Sequence, residues 1–181
     1  SFSGDKRDDL HFRLSAAPHI ADWNGHDEAS VGLLRAAGGE RAFHNGGNRW
    51  TFGDYMYKAV KQFGMKFRLA WPWTCAAGDP YYVLDCREDD YAWCNAMPDG
   101  RLMSTLTFER LREGLDDYRR LITLARLAKE QAGTPAARAA EQLIAERISS
   151  FKLGQRDHDA LFNPDDWTRQ RRRINDAIEA L

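Results

Sequence analysis

Trp23, Trp71 and Trp73 stand at the ends of strand-like runs, with Asp22, His44, Asn45, Arg49, Asp79 and Asp85 close by in the chain. Indole faces cover the apolar side of a sugar ring, and carboxylates, amides, imidazole and guanidinium groups bind its hydroxyls. These nine residues are the candidate carbohydrate-binding set; Trp50 and Trp93 are further aromatics of the same kind. The plain alternative is that the tryptophans pack helices and that Asp85, Arg87, Glu88, Asp89 and Asp90 form a solvated loop. Among the histidines, His44 beside Asn45 is the one placed for chemistry. No HxH or HExxH spacing supports a metal, no GxSxG a nucleophilic serine, and no glycine loop a phosphate. Cys75, Cys86 and Cys94 match no closed zinc pattern. They read as small buried hydrophobes, with one disulfide and an exported location left open. No cofactor is expected.

The elements that must position this set follow from local pattern. Leu10, Phe12 and Leu14 alternate with polar residues, a strand of period two that Pro18 ends. His19–Trp23 and Arg41–Asn45 read as short strands. Between them, Asp27 or Ser30 caps a helix that runs to Ala37. Thr51 starts a helix whose face is Phe52, Tyr55, Met56, Ala59, Val60 and Phe63, and Gly64 stops it. Met65–Trp73 is the strongest strand pattern. After a long aromatic and acidic loop, Tyr91–Ala96 reads as a further strand, and Pro98-Asp99-Gly100 as a turn.

Ser104 or Thr105 then caps a long helix from about Leu106 to Gln131. Leu111, Leu115, Tyr118, Ile122, Ala125 and Leu127 are its expected buried stripe. Gly133-Thr134-Pro135 breaks it, Ala136–Phe151 forms a second helix, and Asn163-Pro164 starts a third that reaches Leu181. Arg169 and Arg171 to Arg173 read as a solvated face. Alternating strands and helices imply an α/β fold with a parallel sheet, organised as βα units over 1–132 and a helical tail over 133–181.

At 181 residues the length is that of one domain. A net charge of −1 gives no electrostatic case for nucleic acid. No apolar run approaches the roughly 20 residues that span a bilayer, and no signal-peptide pattern opens the chain. Neither nucleic acid nor a membrane is therefore an expected partner.

One family matches several of these segments. Gly78-Asp79-Pro80-Tyr81, Leu84-Asp85, Arg87-Glu88-Asp89-Asp90, Pro98-Asp99-Gly100 and Leu111-Arg112-Glu113-Gly114-Leu115-Asp116-Asp117-Tyr118 resemble the C-terminal end of the catalytic domain of glycoside hydrolase family 123 and its relatives. Thr107 stands where the family usually has Arg. The resemblance implies the C-terminal half of a (β/α)8 TIM-like barrel. Its last four strands would be Leu10–Ala16, His19–Trp23, Arg41–Asn45 and Met65–Trp73.

It also implies hydrolysis of N-acetylhexosaminide bonds, in which the substrate's acetamido group attacks the anomeric carbon and an adjacent Asp-Glu pair assists. Asp27-Glu28 is the one such pair here, and it falls out of register. The catalytic pair is therefore expected outside this chain, and no catalytic residue is assigned. A half barrel exposes a sheet edge, so self-association or a partner chain supplying the first half is expected. Asp116-Asp117-Tyr118 is expected to anchor its helix to the loop, for instance through Arg49 or Arg87, rather than to perform chemistry. The alternative function is a non-catalytic carbohydrate-binding or assembly module.

Overall fold

The computed structural model describes residues 20–23, 40–43, 51–67, 94–149, 151 and 163–181. Among them, β1 (Ile20–Trp23), β2 (Glu40–Phe43) and β3 (Lys66–Phe67) form a parallel ladder in that order. Its register pairs Asp22 with Ala42 and Trp23 with Phe43, then Phe43 with Phe67. A separate antiparallel hairpin joins β4 (Cys94–Ala96) to β5 (Leu102–Ser104). The α-helices of the described residues are α1 (Phe52–Tyr57), continued by a π-turn over Lys58–Gln62, α2 (Leu106–Glu130), α3 (Pro135–Ser149) and α4 (Pro164–Glu179).

This corrects the expected α/β half barrel: the described chain is mostly helical. The 25 residues of α2 alone outnumber those of the five strands, which have four, four, two, three and three. Of the expected strand Met65–Trp73, the described residues include Lys66–Phe67, paired with β2. A barrel core is filled by inward-facing strand residues. Here, both described core clusters consist of helix and π-turn residues apart from Met65. The expected strand Leu10–Ala16 and the helix ending at Ala37 lie outside the described residues, as does Met65–Trp73 beyond Phe67.

Local chemistry sets the helix ends. The Thr105 hydroxyl accepts from the Phe108 amide at 3.2 Å, and Asn163 Oδ1 accepts from Asp165 and Asp166 at 3.0 and 3.2 Å. Each side chain satisfies first-turn N–H groups that have no partner within the helix. Thr134 Oγ1 does the same for Ala137 at 3.1 Å. Gly64 and Gly133 close the π-turn and α2 with φ of 64° and 92°, a region that costs glycine little. The hairpin turns at Pro98-Asp99-Gly100, where Gly100 has φ 81° and the Asp99 carboxylate accepts from the Arg101 amide at 3.1 Å.

The helices bury one another. All six residues of α1 are buried, and α1 packs on α2 and α3. One cluster gathers Phe52, Tyr55, Met56, Ala59, Met65 and Leu111. The other joins Leu121, Leu124 and Ala128 of α2 to Ala137, Ala140, Leu143, Ile144 and Ile148 of α3 and Ile174 of α4. Tyr118 packs against both.

The buried line of α2 is Leu111, Gly114, Asp117, Leu121, Leu124 and Ala128, in the three-and-four spacing of a helical face. Of the expected stripe only Leu111 lies on it. Leu115, Tyr118, Ile122, Ala125 and Leu127 flank it, half-buried.

Gly114 is on that line because α1 crosses α2 there. A Cβ on Gly53 would sit 2.5 Å from the Gly114 carbonyl oxygen and 2.7 Å from Asp117 Cβ; one on Gly114 would sit 2.8 Å from Phe52 Cβ. Alanine gains about 1 kcal/mol over glycine in a helix interior. Overpacking against backbone that cannot rotate away outweighs that gain. Gly53→Ala is expected to cost about 2 kcal/mol net, read as a lower urea midpoint; an unchanged or higher midpoint would contradict the close crossing.

Candidate functional site

The polar groups that the described structure brings together lie where all four helices meet. Asp54 on α1 is fully buried, and Arg147 on α3 grips it with both arms of its guanidinium: Nε to Oδ1 at 2.5 Å and Nη2 to Oδ2 at 3.1 Å. The Arg147 guanidinium carbon lies 4.5 Å from the ring centroid of Trp167 on α4. Carboxylate and indole therefore share one cation, a contact that strengthens as water is excluded. Next to this pair, Lys58 Nζ donates to the Phe151 carbonyl oxygen, tying the π-turn to the residue just beyond α3.

Asp117 on α2 is the second centre and is 2% exposed. Its Oδ1 accepts from Arg120 Nη1 and Arg171 Nε, both at 2.8 Å. Its Oδ2 accepts from Arg171 Nη2 at 2.8 Å and from Trp167 Nε1 at 3.1 Å. Four donors fill the acceptor capacity of one carboxylate. Arg171 also reaches Glu113 Oε2 through Nη1 at 2.6 Å, and its guanidinium carbon lies 5.8 Å from the Trp167 centroid.

Electrostatics follow from this burial. Loss of water pushes the Asp54 carboxyl up from the ordinary 3.8 to about 6, against the charge and hydrogen bonds of Arg147. Burial alone would lower the Arg171 pKa; hydrogen bonds and charge from Asp117 and Glu113 outweigh it and raise it. Burial raises the Tyr57 phenol, with a further push from Tyr118, and raises Tyr118 as well.

The sign for stability is set by the raised folded-state value. Asp54 takes up a proton more readily in the folded chain than in the unfolded one. Its contribution is fully present below pH 3.8 and is lost as pH rises through about 6. Wild type is thus expected to gain about 2 kcal/mol on Asp54→Asn as pH falls from about 7.5 to about 4. Paired urea titrations check this, and a pH-independent difference would rule it out.

Both carboxylates are committed to fixed donors, so the arrangement holds helices together and offers neither a free base nor an open acid. Asp117 anchors its helix to α4 through Arg171 and Trp167; the expected loop partners Arg49 and Arg87 lie outside the described residues. One expectation is corrected: Arg171 turns inward, whereas Arg169, Arg172 and Arg173 are exposed. Asp54, Arg147 and Trp167 carry a signal in the sequence. Each is a polar or aromatic residue at an inward three-or-four position; Arg147, for example, interrupts the stripe of Ala140, Ile144 and Ile148.

Of the sequence-derived carbohydrate set, Asp22 and Trp23 are the last two residues of β1, beside the C-terminal end of β2. His44, Asn45, Arg49, Trp71, Trp73, Asp79 and Asp85 lie outside the described residues. So do Trp50, Trp93, Asp27-Glu28, Cys75 and Cys86, while Cys94 begins β4. Among the described residues no group of three or more His, Cys, Asp or Glu side chains is placed to hold a metal ion. No described helix is long and apolar enough to cross a membrane. Compared with protein-family models, curated proteins and solved structures, the chain matches none.

Proposed function

We propose that this chain is the non-catalytic, sugar-contacting part of a glycoside hydrolase-like protein that acts on N-acetylhexosaminides. The observation that carries the reading is the parallel register of β1 and β2. Trp23 opposes Phe43, so Asp22 and Trp23 stand at the end of the ladder from which the chain continues into His44 and Asn45. Asp22 and Trp23 at that end, with His44 and Asn45 next in the sequence, are residue types that suit a pyranose ring. Further support comes from the segment Arg112 to Tyr118, whose resemblance to the hydrolase family includes Gly114 and Asp117, the residues on which the helical frame turns. The Asp-Glu pair that assists the acetamido group comes from elsewhere, in a partner chain or another part of a longer protein.

The test is a panel of aryl N-acetylhexosaminides and neutral glycosides, followed by calorimetry and by release of the aryl group. Binding without hydrolysis is expected, with Trp23→Ala weakening it about tenfold, or about 1.4 kcal/mol. Hydrolysis would mean that the chain holds its own acid, among Asp22, Asp27, Glu28, Asp79 and Asp85. Absence of binding to every sugar would end the carbohydrate reading.

A further inference from the structure

We draw no further inference here: the strongest candidate, the exposed apolar patch of Met97, Leu102, Met103 and Leu106 on the β4–β5 hairpin and the start of α2, is a surface for which nothing in the structure shows what covers it.

Discussion

Arg147→Ala is expected to destabilise the fold by about 3–5 kcal/mol at neutral pH, the range for removing one partner of a buried ion pair. The reason is the residue left behind. Asp54 has no exposure, and in the variant it would face an apolar crossing with neither water nor guanidinium. The same substitution removes the cation from above Trp167. Because Arg147 lowers the Asp54 pKa against burial, its loss lets the carboxyl rise further and take up a proton at neutral pH. The penalty should therefore shrink on acidification, as the neutral acid is cheaper to bury than the anion. Urea unfolding at neutral and acid pH measures both effects. A cost near zero at neutral pH would mean that Asp54 is hydrated.

A companion variant separates the charge from the packing. Asp54→Leu combined with Arg147→Met replaces the ion pair with apolar groups of similar size. Such exchanges are often neutral or stabilising, since neither charge must leave water. The double variant should recover most of what Arg147→Ala loses. If it unfolds as readily as the single variant, the stacking of Arg147 on Trp167 carries more than the pair itself.

How far the sequence could be read depended on how local the governing chemistry is. Helix ends depend on a few neighbouring residues, and Thr105, Gly133-Thr134-Pro135 and Asn163-Pro164 were legible for that reason. The inner face of α2 depends on what crosses it. Counting apolar residues favoured Leu115 and Tyr118. The face in contact instead runs through Gly114, chosen for its missing Cβ, and Asp117, chosen for its four donors. Hydrophobicity cannot flag either residue, because the partners that justify them lie on α1 and α4.

Fold class failed for a related reason. Period-two alternation is read one segment at a time, whereas the class of a fold is decided by which elements bury the core. Burial among helices dominates the described residues instead. As for the carbohydrate set, the parallel register places Asp22 and Trp23 by their backbone, and the other members lie outside the described residues.

Asp117→Ala should cost about 3 kcal/mol, in the range for breaking a buried charge network, and its effect should concentrate on α4. Asp117 is where α4 meets α2: it takes both arms of Arg171 and the Trp167 indole N–H. Arg171 would keep Glu113, which makes the loss smaller than that of Arg147→Ala. Asp117→Asn is the sharper test. It preserves shape but replaces one acceptor oxygen with an amide that donates, against donors already aimed at both positions. Whichever way the amide turns, an N–H meets either Arg120 and Arg171 or Trp167 and Arg171. The asparagine should therefore be at least half as damaging as alanine. Hydrogen exchange would show faster opening of α4 than of α3, because Leu143, Ile144 and Ile148 still hold α3 in the core. Uniform acceleration across α2, α3 and α4 would mean that the four helices open as a unit, with Asp117 supporting all of them.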